Sequence, residues 1–213
     1  MRRVYTDHCE APFYPLPPPL GMDKAQKKAL LRACYARDSP AREGEVARLL
    51  GQGADPNCSQ WEVPGTPPMP ALTLAASCGN VGACRALLAH PSIRIDFGGE
   101  FGCAALFIAC ENGHHPTVKV LLEAGADAER LVRGFTPLMT ASRDGYTRVC
   151  RMLLEAGADV DRQSISVPRS TALCLAAQAG HAETVAFLLG KGARVDPALG
   201  SDGLAPLWMA CEK

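Results

Sequence analysis

The sequence has few aromatic residues, no excess charge of either sign and no long apolar run. Phe, Trp and Tyr make up 6% of its 213 residues, and 22 Lys plus Arg balance 22 Asp plus Glu. No apolar run reaches about 18 residues, so no membrane span is predicted. The basic start of the chain is not followed by the apolar segment of a signal peptide. Nucleic-acid-binding domains are usually basic, and the balanced charge argues against that class.

The sequence also lacks paired cysteines of the C-x-x-C type, although it contains ten cysteines. Zinc-binding and thioredoxin-like motifs are therefore absent. Most of the cysteines lie in stretches rich in alanine and leucine, where a thiol behaves as a small apolar side chain. We expect reduced thiols and an intracellular location, cytoplasmic or nuclear.

Signature motifs of common enzymes are missing as well. The sequence contains no phosphate-binding G-x-x-x-x-G-K-[ST] loop, no G-x-G-x-x-G, no H-E-x-x-H and no G-x-S-x-G. One metal candidate is His115 with Cys103 and Cys110, but a helix is expected to separate these side chains, whereas zinc needs four converging ligands. We predict no enzyme, no metal site and no cofactor.

A repeated pattern fills most of the chain. A leucine pair followed by a small-residue arm begins at positions 49, 87, 121, 153 and 188, which are 38, 34, 32 and 35 residues apart. A second marker precedes each later pair, as in PALTLAASCG, AALFIACENG, TPLMTASRDG and TALCLAAQAG. Such periodicity is the sequence signature of a stacked array in which each unit contacts only its neighbours.

One unit can be interpreted residue by residue. Thr136 is suited to cap a helix whose first residue is Pro137, and Gly145 is suited to end it. A second apolar stripe containing Leu153 then ends at Gly157. Each unit is therefore predicted to be a helix, a turn, a second helix and an extended arm.

The period of about 33 residues and the T-P-L-type marker resemble the ankyrin repeat. The resemblance implies an all-α solenoid of about five helix-turn-helix repeats plus a truncated sixth, with short β-hairpin-like arms. The predicted array covers residues 22–213. Its repeats are 22–58, 66–98, 99–131, 132–166, 167–200 and the partial unit 201–213.

Both ends of the chain depart from this pattern. Residues 1–21 include EAPFYPLPPPL, whose proline density favours polyproline II. This segment is either a ligand for an SH3, WW or EVH1 domain or a disordered tail, and we favour the tail. The last unit stops inside its first helix, so we expect either a longer parent array or self-association through an uncapped edge.

The resemblance implies protein recognition by the arms and first helices, which line a concave face. The partner protein is not identified by the sequence, and membranes and nucleic acid are not expected partners. The alternative is a targeting or substrate-recruiting module of a larger signalling protein or enzyme that extends past residue 213. Positions outside the core signature form the predicted contact set: Ser77, Glu100, Phe101, Glu111, Asn112, Val132, Arg133, Phe135, Arg143, Asp144, Val167, Pro168, Gln178, Ser201, Asp202 and Leu204.

Three further features have less specific interpretations. His114 and His181 follow turn glycines, the usual histidine place in the family, where they are expected to support the turn. Asn57 resembles the position at which an asparaginyl hydroxylase modifies members of the family, although Pro56 departs from the family's pattern, which has an aliphatic residue there. Arginines are frequent between 130 and 170 but alternate with acids, so a mixed-charge surface is favoured over a nucleic-acid site.

Overall fold

The computed structural model describes residues 24–35, 40–59, 68–99, 102–167 and 170–195. Helices dominate these ranges and follow one another in pairs. They are α1 (Lys24–Tyr35), α2 (Pro40–Gly51), α3 (Ala71–Ser77), α4 (Val81–Leu88), α5 (Ala105–Glu111), α6 (His115–Glu123), α7 (Pro137–Arg143), α8 (Thr147–Glu155), α9 (Ala172–Ala179) and α10 (Ala182–Gly190). The proline-rich segment 1–21 and the partial unit 201–213 lie outside the described residues.

The helices form two layers. The first helices of the pairs, α1, α3, α5, α7 and α9, pack in sequence, and so do the second helices, α2, α4, α6, α8 and α10. Within the described ranges extended structure is limited to two isolated antiparallel bridges, Ser59 with Pro70 and Val132 with Phe135. The all-helical solenoid predicted from the repeat is therefore confirmed.

The two layers differ in composition because they bury different fractions of their surface. Ala75, Ala109, Ala141 and Ala176 occupy equivalent places in the first helices and are fully buried, and their small side chains let neighbouring helices approach closely. The second helices are amphipathic instead: α8 buries Val149, Cys150 and Leu153 and exposes its arginines.

The predicted helix caps are present in two repeats. The Thr136 hydroxyl accepts a hydrogen bond from the Met139 N–H at 3.2 Å, and the Thr171 hydroxyl accepts one from the Cys174 N–H at 3.4 Å. Gly145 ends its helix with a φ of +76°, a value that favours glycine.

The residue before the second helix connects two of the repeats to the preceding one. The Nε2 atom of His114 lies 3.1 Å from the Ser77 carbonyl oxygen, and that of His181 lies 3.0 Å from the Arg143 carbonyl oxygen. The histidines therefore do more than support their own turn: they connect neighbouring units. Equivalent places are occupied by Asn80, His114, Tyr146 and His181.

The core contains reduced thiols. Eight cysteines lie in the described ranges without forming a disulfide there, and seven of them are buried. Burial raises the pKa of the Cys58 thiol to about 12 and places that of Cys110 well above its ordinary value. In the same ranges, no three histidine, cysteine or carboxylate side chains are grouped as metal ligands would be. None of the described helices is both long and apolar enough to cross a bilayer.

Candidate functional site

The arm before α7 is a tight two-residue hairpin. The Val132 N–H donates to the Phe135 carbonyl at 3.0 Å, and the Phe135 N–H donates to the Val132 carbonyl at 3.1 Å. Arg133 and Gly134 between them have φ values of +53° and +80°. Two central residues with positive φ define a type I′ turn. Arg133 is the one non-glycine residue with positive φ in the described part of the chain.

This hairpin is fastened to the arm of the next repeat. The Gly134 carbonyl accepts hydrogen bonds from the Ser164 hydroxyl at 2.8 Å and from the Ile165 N–H at 3.1 Å. The Ser166 hydroxyl donates to the Arg133 carbonyl. A Cβ atom at position 134 would lie 1.9 Å from the Ser166 Oγ atom. Glycine is therefore required here both by its φ and by this close approach.

The second arm carries exposed apolar side chains on a fixed backbone. The Ser164 N–H donates to the Ser170 carbonyl at 2.8 Å, and the Ser164 hydroxyl accepts from the Val167 N–H at 3.1 Å. At the tip of this arm Ile165 is 74% exposed and Val167 is 44% exposed. We call the side chains of Arg133, Phe135, Ile165, Ser166 and Val167 the arm surface.

Charged residues gather where the first helices end. The Arg143 guanidinium donates to both carboxylate oxygens of Asp144, at 3.1 and 3.0 Å, and lies 3.9 Å from a Glu111 oxygen. Glu111 belongs to α5 and Arg143 to α7, so this contact crosses a repeat boundary. Together with the exposed Asn112 and Gln178, these residues form the helix-end cluster.

Two members of the predicted contact set are less exposed than a contact surface requires. Val132 is 2% exposed and packs with Cys103, Phe107 and Ile108, so its prediction as a surface contact is corrected. Hairpin pairing turns its side chain inward. Phe135 is half-buried against the same group, and only part of its ring can reach a partner. Glu100, Phe101, Pro168, Ser201, Asp202 and Leu204 lie outside the described residues.

Sequence reasoning missed Ile165 and Ser166. Both lie in the serine-rich segment between two repeats, where no helix period or core signature identifies individual positions. The one signal in the sequence was an apolar residue that alternates with serines. That signal does not show whether Ile165 is exposed, because its exposure depends on the path of the arm.

Asn57 lies half-buried between two repeats. Its side-chain N–H donates to the Ser92 carbonyl at 2.8 Å, and its Oδ1 atom accepts from the Arg94 N–H at 2.8 Å. Asp161 makes an equivalent contact later in the array, with the Arg194 N–H at 2.8 Å. This position therefore connects adjacent arms. Hydroxylation of Asn57 stays a prediction.

Comparison with known proteins identifies the repeats. A family model described as ankyrin repeats in three copies matches residues 30–131 and 72–164, and the ankyrin-repeat model matches residues 169–198. The crystal structure of the human ASB11 ankyrin repeat domain superposes with a TM-score of 0.70 at 26% identity, covering 90% of this chain and 78% of that one.

Curated relatives are longer proteins. The Drosophila melanogaster protein mask, named for ankyrin repeats and a KH domain, is 34% identical over 105 residues, which are 49% of this chain and 3% of the relative. Human transient receptor potential cation channel subfamily A member 1 is 35% identical over 159 residues, 71% of this chain and 14% of the channel subunit. The chain thus spans a small part of these relatives.

Proposed function

The chain belongs to the ankyrin-repeat family, whose repeats indicate a protein–protein interaction module, and we propose that it binds a partner protein through its arm surface. The helix-end cluster forms the polar rim of the same contact. In this proposal the array positions side chains for recognition and carries out no catalytic step.

The exposure of Ile165 carries the proposal. An isoleucine that is 74% exposed leaves most of its apolar area in water, and covering it with a partner would return roughly 25 cal/mol for each Å² removed from water. Its neighbour Val167 extends the same apolar tip. Interfaces commonly combine such a centre with a polar rim.

The arm is organised before any partner arrives. Hydrogen bonds from Ser164 and Ser166 hold it to the preceding hairpin, so little backbone entropy remains to be lost on binding. Arg133 adds a guanidinium on the hairpin, where it also donates to the Cys103 sulfur at 3.7 Å, and arginine is enriched among residues that dominate interface energies.

The helix-end cluster has a different role. Its Arg143 is already paired with Asp144 and Glu111, so a partner gains little net charge attraction there. These groups can instead exchange hydrogen bonds at the rim, where they affect orientation and association rate more than affinity.

Site-specific crosslinking tests the proposal. A photoreactive benzoylphenylalanine is placed at Ile165, and at Arg148 on α8 as the matched control. The crosslinked protein is identified, purified and titrated against the wild type, Ile165→Ser and Arg148→Ser. We expect crosslinking at position 165 and about tenfold weaker binding for Ile165→Ser. Equal crosslinking at both positions, or equal affinities of the two variants, would refute the proposal.

A second candidate function is supported by the length of the relatives. Because the matched segment makes up 3% or 14% of those proteins, the array could serve as the recruiting module of a larger signalling protein or enzyme. A continuous reading frame past Lys213 that encodes a catalytic domain would favour this candidate. An intracellular location is part of both proposals and is supported by seven buried thiols without disulfides in the described ranges.

A further inference from the structure

A polar recess lies in the loop between α4 and α5. Its volume is about 320 Å³, and it is bounded by residues 94–99, Gly102 and Arg130. None of these residues belongs to the arm surface or to the helix-end cluster. The recess brings together two arginines from different repeats, one before and one after the α5–α6 pair.

The side chain of Arg130 has a buried N–H group without a hydrogen-bond acceptor. Its Nε atom is shielded from solvent and has no hydrogen-bond partner. Within the described ranges no carboxylate lies within ion-pair distance of Arg130 or Arg94. A guanidinium keeps its proton at all ordinary pH values. A buried N–H group without an acceptor is energetically costly, and an acceptor atom on a bound ligand would remove that cost.

Arg94 is held by an aromatic ring. Its guanidinium carbon lies 4.6 Å from the centroid of the Phe97 ring, and the Phe97 N–H donates to the Arg94 carbonyl at 3.0 Å in a tight turn. Stacking occupies the flat face of a guanidinium and leaves the N–H groups at its edge as donors. Arg94 is exposed to solvent, so a ligand can reach those donors.

The glycines of the loop supply backbone donors. A Cβ atom on Gly98 would lie 2.2 Å from the Gly102 carbonyl carbon, and Gly99 has a φ of +65°, so the loop requires glycine at both places. In the part of the chain that the structure describes, the N–H groups of Gly98 and Gly99 donate to no acceptor. Successive backbone N–H groups in such turns favour anions.

The one acid among the described residues that line the recess already accepts a hydrogen bond. Asp96 accepts a hydrogen bond from the Asp127 N–H at 3.2 Å. Glu129, which precedes Arg130, is directed to the next repeat, where it accepts from the Asp159 N–H at 2.9 Å. Among the described residues that line the recess, two arginines and one aspartate give a net charge of one positive unit.

We propose that this recess binds a phosphate-class dianion, either a small soluble phosphate or a phosphorylated side chain of another protein. A phosphoryl group has three acceptor oxygens, which matches two guanidinium edges and the loop N–H groups better than the two oxygens of a carboxylate. Arginine recognises phosphate with paired, charge-assisted hydrogen bonds. The site is independent of partner binding by the arm surface.

An NMR titration of the ¹⁵N-labelled chain tests the proposal. The probes are inorganic phosphate, the capped tripeptide glycyl-phosphoseryl-glycine, and acetate. We expect saturable shifts of the Gly98, Gly99 and Gly102 amide signals with the first two probes. Arg130→Gln should weaken binding about tenfold, while Arg148→Gln, on the surface of α8, should leave it unchanged. Arg94→Gln provides a second variant at an exposed position, where folding is least affected.

The probes separate the two sources. Tighter binding of the tripeptide indicates a phosphorylated protein, and tighter binding of inorganic phosphate indicates a small molecule. Acetate shifts equal to those of phosphate, or full phosphate binding by both Arg130→Gln and Arg94→Gln, would overturn the proposal. Because Ile165→Ser changes the exposed tip of the arm surface and none of the residues that line the recess, it should leave these shifts unchanged, which separates this site from the proposed partner contact.

Discussion

The stacking core and the arm surface are built by different means. In the core, side chains such as Leu121 and Leu153 are fully buried and recur at the same place in successive repeats. In the arms, backbone hydrogen bonds determine the structure, and an isoleucine remains 74% exposed. The core therefore supplies stability through contacts that every unit shares, while the arms differ from unit to unit and are available for recognition.

The largest effect is expected where the core is broken. Leu153→Ala should lower the free energy of unfolding by roughly 2–5 kcal/mol, because a fully buried leucine leaves a cavity on truncation. Leu189→Ala is the matched control, since Leu189 is 39% exposed on α10. Urea denaturation measures both. Equal losses would show that burial does not distinguish these positions.

A buried thiol gives the core a dependence on alkaline pH. Burial raises the pKa of Cys150 from 9.0 to about 11, partly offset by a hydrogen bond with Ser142. The unfolded chain therefore releases this proton first as pH rises, so the contribution is complete below pH 9 and is lost between pH 9 and 11. A shift of two units corresponds to about 2–3 kcal/mol.

Denaturation at pH 7.5 and 10.5 tests this contribution. We expect the wild type to lose more stability between the two pH values than Cys150→Ala, whose titrating thiol is removed. The other buried thiols remain in both proteins, and all of them except Cys110, whose pKa is raised in part by Cys150, cancel in the difference. Identical losses in the two proteins would mean that Cys150 is readily ionised in the folded state.

One arm position should behave like the core. Gly134→Ala should lower stability by roughly 1–3 kcal/mol, because alanine would be forced to a φ of +80° and its Cβ would meet Ser166. Gly157→Ala is the matched control: it has a φ of +91° but no atom within 4 Å of the added Cβ. Thermal melts of both variants separate the effect of backbone strain from that of the steric contact. Equal losses of stability would show that Ser166 moves away and that its contact with the new Cβ atom costs nothing.

The repeat markers were sufficient to predict the helix pairs, because spacing, caps and glycines recur in each unit. Thr136 and Gly145 are examples whose roles follow from residue type alone. Individual arm residues were less predictable: Val132 turned out buried and Ile165 exposed. Their environments depend on hairpin pairing and on hydrogen bonds from the next repeat, which no local pattern encodes.

The smallest effect on stability is expected at Arg133, an arm residue whose side chain should matter for binding and hardly at all for folding. Arg133→Gly removes the guanidinium but suits a turn residue with a φ of +53°. Relief of strain offsets the added flexibility of the unfolded chain, so the free energy of unfolding should change by less than about 0.5 kcal/mol. Binding of the crosslinked partner should nevertheless weaken about tenfold. Arg133→Ala serves as the control, since it also lacks the guanidinium but keeps the backbone strain of the wild type, and it should lose affinity while its stability stays close to that of the wild type. Thermal melts and titrations of the two variants provide the measurement. If Arg133→Gly bound the partner like the wild type, Arg133 would be a structural turn residue, and recognition by the arm surface would rest on its apolar tip alone.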